Sequence, residues 1–175
     1  MSRARYEKSG KSNKQTSREL SIKIQACRNQ IGKRKLLEIG WFPDAQYPSG
    51  ESVANVARWQ EFGTGAIPPR PFLRPTVAAN RTKYVRWLKK GIAQAIEGNT
   101  TIEQTMDKIG LAGVGDVKKS IMQVWQPPLS PVTIERRRKR WYSADSGPHG
   151  EALEKPLVDT TRMINSLSYQ VSVEE

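Results

Sequence analysis

EFGTGAIPPRPFLRPT, residues 61–76, packs four prolines, two glycines and two arginines around a few apolar side chains. Proline lacks an amide N–H and fixes φ, so this stretch suits neither a helix interior nor a central strand. It is too short and too mixed to be a low-complexity linker. Directly after it comes the strongest helical pattern in the chain. From Thr76 to about Glu97, Val77, Tyr84, Val85, Leu88, Ile92, Ala95 and Ile96 share one face, with Arg81, Lys83, Arg86, Lys89 and Lys90 mostly elsewhere. The stretch therefore reads as a proline-braced elbow that orients a long helix, with Phe72 and Leu73 plugging the core beneath it. Composition alone would also allow a ligand for proline-recognising modules. The helical patterns on both flanks favour the elbow.

Working toward the N-terminus, Val53, Val56, Ala57 and Phe62 suit a short helix that Gly63 caps. AQYPSGES is a loop, and KLLEIGWF at 35–42 places Leu37, Ile39 and Trp41 on one side before Pro43, as a strand closed by a turn does. From Ser17 to Ile31, Leu20, Ile24, Cys27 and Ile31 form a single helical stripe that Gly32 ends. Residues 1–17 have almost nothing to bury and read as a flexible basic arm, disordered alone and expected to order against a neighbouring ring of an assembly.

Toward the C-terminus, Thr100 and Glu103 form a capping box. Ile102, Met106, Ile109, Val117, Ile121 and Val124 hold one helical register despite Gly110, Gly113 and Gly115, and Pro127 and Pro128 stop it. Ser130 and Pro131 suit the cap and first turn of a short, strongly basic helix. A loop from 141 to 155 follows. Asp159 then suits a helix cap, and Leu167, Tyr169, Val171 and Val173 alternate with Ser166, Ser168, Gln170 and Ser172 as in a half-buried strand. Without regular βαβ alternation these elements predict an α+β fold: one domain over 18–175, a small antiparallel sheet packed with three to four helices, preceded by the arm at 1–17.

The chain has 175 residues, a formal net charge of +12 and a sequence pI of about 10.0. Such an excess favours nucleic acid, an anionic membrane or an acidic protein as partner and says nothing of fold. Cys27 stands alone, so no intramolecular disulfide forms, and neither a long apolar run nor a leader-like segment is present. KRK at 33–35 and the run Arg136, Arg137, Arg138, Lys139 and Arg140 could neutralise phosphates, but no sequence-reading module accompanies them. His149 is the single histidine, in a Gly-Pro loop, and carboxylates and thiols are not grouped as a metal site requires. GVGD at 113–116 lacks the spacing and the Lys-Ser/Thr pair of a phosphate-binding loop. Neither a catalytic constellation nor a cofactor is expected.

Three ordered segments, VANVARWQEFGTGAIPPRPFLRPT, PPLSPVTIERR and KPLVDTTRMINSLSYQV, resemble the signature of the neck or tail-completion proteins of tailed bacteriophages, a family of minor tail and virion-morphogenesis proteins. The resemblance spans about Leu36 to Val173. Glu61, Phe62 and Gly63 match its Glu-Phe-Gly; Arg70, Pro71 and Phe72 its Arg-Pro-Phe; Pro156, Leu157, Asp159 and Thr160 its Pro-Leu-(Ile/Val)-Asp-Thr. Thr161 stands where glycine is common. The resemblance implies a non-enzymatic virion protein without a cofactor, assembled in the host cytoplasm into a homo-oligomeric ring at the head-tail junction. It would join head-side connector proteins to tail terminator or tail tube proteins around the DNA channel. Arg70, Arg74 and the run from Arg136 to Arg140 are then the residues expected at subunit interfaces or in contact with genomic DNA. On the residues alone a second reading stays open, a free basic protein that binds nucleic acid without sequence specificity during packaging or regulation.

Overall fold

The computed structural model describes residues 13–31, 34–142 and 153–173. Among them the order is α1 (Asn13–Ile31), β1 (Lys35–Gly40), α2 (Val53–Phe62), α3 (Leu73–Glu97), α4 (Ile102–Gln123), α5 (Pro131–Tyr142), α6 (Arg162–Asn165) and β2 (Ser168–Val173). The class is α+β with a small sheet. The two strands pair antiparallel, Leu37 opposite Val171 and Ile39 opposite Tyr169, so the sheet ties the start of the domain to its end. Among the described residues the helical segments number six, the shortest of four residues.

A two-stranded sheet is not stable by itself and needs a helix on its face. Here α4 packs on both strands and on α3. Gly110 and Gly113 make that approach possible: a β-carbon at Gly110 would collide with the Tyr169 ring, and one at Gly113 with Ile39. Gly91 does the same between α3 and Thr105 of α4. The glycines that looked like weak points of one helix are therefore the places where the sheet lies on it. Gly115, by contrast, faces open space.

The main core gathers Val53 and Ala57 of α2, Phe72, Val117 and Ile121 of α4, and Leu157, Met163 and Leu167. Phe72 is completely buried and meets Trp41 edge to face, with ring centroids 5.9 Å apart. A smaller cluster of Ala95, Ile102 and Met106 fills the other end beneath Leu37 and Val171.

Several expectations change in detail. Helix α1 begins at Asn13, so residues 13–17 belong to a helix and not to the arm; residues 1–12 lie outside the described residues. Helix α3 begins at Leu73 rather than Thr76, which shortens the elbow. The capping box at the start of α4 is one residue further on: Thr101 Oγ1 accepts from the Gln104 N–H, and the Gln104 side chain accepts from the Thr101 N–H. Glu103 turns instead to Lys35 of β1, which removes Lys35 from any phosphate-binding role. The stripe of α1 is not covered, since Leu20 and Ile24 are exposed; the side chains of Cys27 and Ile31 lie outside the described residues. On α3, Ile92, Ala95 and Ile96 join the smaller cluster, whereas Val77, Val85 and Leu88 remain exposed.

The two classes of glycine make a paired prediction. Gly110→Ala overpacks the Tyr169 contact and should cost about 1–3 kcal/mol in urea unfolding. Gly115→Ala, in open space within the same helix, should instead stabilise by up to about 1 kcal/mol. Equal effects at the two positions would contradict the close packing of sheet on helix.

Candidate functional site

The three segments that carry the family resemblance fold onto one another. Their junction is made of buried polar groups.

The first junction is at Glu61. This carboxylate ends α2 and is only 3% exposed. Its Oε2 accepts the N–H groups of Phe72 (2.7 Å) and Leu73 (2.9 Å), and its Oε1 accepts the Arg74 N–H and Nε–H, both at 3.0 Å. Phe72 occupies the N-cap of α3 without a side-chain cap, and the first turn of that helix has no acidic residue. Glu61 therefore supplies from α2 the anion and the acceptors that the helix start lacks. Burial pushes its pKa up, but the amide donors and Arg74 outweigh this and hold it below the ordinary value. Between the two helices the chain closes tightly. The Gly63 N–H donates to Trp59 O, Thr64 N–H to Ile67 O, and Arg70 N–H to Gln60 O. Gly63 has φ of 77°, and a β-carbon there would press on Ile67 O, so this turn requires glycine. Phe62 points outward and carries the Arg74 guanidinium 4.3 Å above its ring.

Arg70 makes the second junction. It is 4% exposed and spends its guanidinium on Pro127 O (2.7 Å), Pro128 O (3.0 Å) and Gln60 Oε1 (3.2 Å). Of the arginines expected at an interface or on DNA, this one thus faces the interior and braces the PPLSP segment. Arg74 remains at the surface.

The third junction runs from α5 to the PLVDTT segment. Arg137 is buried, with Nη1 donating to Leu153 O (3.1 Å) and Lys155 O (2.8 Å). Asp159 accepts from Trp141 Nε1 (3.1 Å), pairs with Arg140 (3.2 Å) and lies 3.6 Å from Arg137 Nε. Asp159 is not the cap of α6, which begins three residues later after Thr161. Thr161 has φ of 55°, the left-handed region that glycine adopts most easily. Leu157 is also left-handed (φ 65°) and enters the main core. Arg136, Arg138, Lys139 and Arg140 stay on the outer faces of α5, with Arg138 and Lys139 paired to Glu135. His149 lies outside the described residues.

A cleft of about 310 Å³ opens between α2, α5 and the 157–163 segment. Arg137, Arg140 and Arg162 line it together with Glu51 and Asp159, and Tyr47 closes one side. Burial raises the Tyr47 pKa, Asp159 adds to this and Arg162 opposes it. Sequence reading missed Tyr47, Glu51 and Arg162 here. Their spacing along the chain has no regularity that points to one place. Among the described residues no three His, Cys, Asp or Glu are grouped to hold a metal, and no helix is long and apolar enough to cross a membrane.

No family model, curated protein or solved structure matches this chain.

Two measurements test the junctions. Because the folded Glu61 pKa is depressed, its contribution is full above the ordinary glutamate value of 4.5 and is lost as pH falls through the lower folded value. Glu61→Gln should therefore lower stability at neutral pH by about 2–4 kcal/mol and flatten the acid branch of a stability-pH curve; an unchanged acid branch would refute the assignment. Arg70→Lys keeps the charge but cannot reach two carbonyls and an amide at once, and should cost about 2 kcal/mol or more. Arg138→Lys on the outer face should stay within about 0.5 kcal/mol in the same denaturation assay.

Proposed function

We propose that this chain is a structural virion protein of the neck or tail-completion kind, one subunit of a homo-oligomeric ring that joins the DNA-filled head to the tail. The observation that carries this reading is the uncovered apolar surface on its helices. Leu20, Ile22 and Ile24 on α1 and Val77, Val85, Trp87 and Leu88 on α3 are exposed, Ile22 by 68%. Apolar groups of this size, clustered on long helices, mark a surface made for another protein. A ring in which each subunit meets the next through a different patch supplies such a cover on both sides. The ordered motif residues support the reading from within, because a subunit clamped between neighbours needs a stiff frame, and Glu61, Arg70 and Arg137 brace one. Arg136, Arg138, Lys139 and Arg140 give α5 a cationic outer face for the DNA channel or an acidic neighbour.

Particles assembled without the chain should yield separate DNA-filled heads and tails, seen by electron microscopy of the lysate. Normally joined particles would overturn the proposal. The free nucleic-acid-binding alternative separates on a gel-shift titration: it requires strong binding of duplex DNA at moderate salt with affinity falling steeply as salt rises. Weak binding, together with the chain in purified virions, is the expected result.

A further inference from the structure

Helix α3 carries a block of positive charge that the described residues leave uncompensated. From Leu73 to Ile96 it holds Arg74, Arg81, Lys83, Arg86, Lys89 and Lys90 and no carboxylate. Arg74 is engaged by Glu61 and Lys83 by Asp116. Arg81, Arg86, Lys89 and Lys90 are exposed, and among the described residues no hydrogen bond, ion pair or ring contact engages them. On α5, by contrast, Arg138 and Lys139 pair with Glu135 and Arg140 with Asp159.

The free charge has a direction. The side of α3 turned to the core buries Thr76, Gly91 and Ala95. Opposite to it, at helical steps of three and four, run Ala79, Thr82, Arg86, Lys89, Lys90 and Ala93, all exposed. Arg86 stands three residues from Lys89 and four from Lys90, spacings at which like charges repel and weaken the helix that bears them. A polyanion laid along the ridge relieves that repulsion. The alanines and Thr82 between the cations are short, so a flat or convex surface can approach the helix closely. Val85 and Leu88 lie to one side of the ridge and Trp87 to the other. A protein interface places its large apolar anchors at the centre, whereas here the centre is cationic and the apolar groups are lateral. Phosphates need the cations alone. Along the axis Arg86 and Lys90 are about 6 Å apart at 1.5 Å per residue, close to two nucleotide steps of about 3.4 Å on one strand.

We propose that this ridge of α3 binds the phosphate backbone of duplex DNA, with Arg86, Lys89 and Lys90 each meeting a phosphate and Arg81 adding to the field from the flank. Backbone contacts of this kind carry no sequence information. The surface differs from the basic run on α5 that the sequence singles out. It is the same whether the chain sits in a ring or acts alone, so failure of this contact and failure of head-tail joining are separate results.

The test is a fluorescence-anisotropy titration of the full chain with a labelled 20-base-pair duplex at several salt concentrations. Three phosphate contacts predict a slope of about −3 in a plot of log K against log salt, and hence a loss of roughly fortyfold between 50 and 200 mM. Arg86→Gln, Lys89→Gln and Lys90→Gln should each weaken binding about five- to tenfold near 100 mM salt and reduce the slope by about one. Because these changes remove like-charge repulsion within the helix, thermal unfolding should show the variants at least as stable as the parent chain. Arg58→Gln, an exposed arginine on α2, and Arg138→Gln on α5 should each change affinity less than about twofold. An unchanged slope in the three α3 variants, or equal losses at Arg58 or Arg138, would overturn the proposal. Tighter binding of polyglutamate, or of phosphatidylserine vesicles, at the same salt would overturn it too and assign the ridge to an acidic protein or to a membrane surface.

Discussion

Everything downstream of residue 61 depends on one carboxylate. Helix α3 starts without a side-chain cap and without an acidic first turn, so its leading amides would otherwise be orphaned next to the core. Glu61 takes three of them with its two oxygens. Because Glu61 belongs to α2, satisfying α3 also fixes the angle between the two helices, and Phe72 is delivered into the core at that angle. The same corner also touches α4: the Phe72 carbonyl accepts from Thr76 Oγ1 and from Ser120 Oγ. A single ionised group thus joins α2 to the start of α3. Burial opposes ionisation, and the donors prevail only because the turn from Gly63 to Arg70 holds them in place.

The remaining junctions follow a different rule. Arg70 and Arg137 are buried against backbone carbonyls more than against carboxylates. Carbonyl acceptors cost less to desolvate than a second ion, so a guanidinium can brace a segment that has no regular hydrogen-bond ladder. Both arginines do this for irregular, proline-rich chain: Arg70 for Pro127 and Pro128, Arg137 for the backbone around Lys155. With two strands among the described residues to organise it, the domain relies on side chains where a larger sheet would use backbone.

Most elements were legible in the sequence because they are governed by local rules. The alternation from Leu167 to Val171, the apolar register of α4 from Ile102 to Ile121 and the cap at Gly63 can each be read within a few turns of local sequence; Val173 is exposed and Val124 lies just past the end of α4. What was illegible is long-range. Asp159 looked like a helix cap because Asp before a short helix commonly is one. Its partners, Arg140 and Trp141, lie in another segment and take its oxygens elsewhere. Glu61 stands out in the sequence as a motif residue but not as the cap of α3, because the apolar pattern starts that helix at Thr76. Placing the start at Leu73 exposes a first turn with no cap of its own, the signal that one must come from outside. The glycines of α4 misled for a similar reason: propensity marks them as weak, while packing against Tyr169 and Ile39 demands them.

The same distinction divides the charge. A net charge of +12 suggests a surface, yet Arg70 and Arg137 point inward and Lys35 and Lys83 are engaged with Glu103 and Asp116. On the outer face of α5, Arg138 and Lys139 are paired to Glu135 and Arg140 to Asp159, while α3 carries exposed Arg81, Arg86, Lys89 and Lys90 beside its uncovered apolar residues. An apolar patch edged by like charge resists indiscriminate self-association, because copies repel until a partner geometry both covers the patch and separates or neutralises the cations. Charge beside an apolar face thus raises the cost of random self-contact, which a bare hydrophobic face would not do.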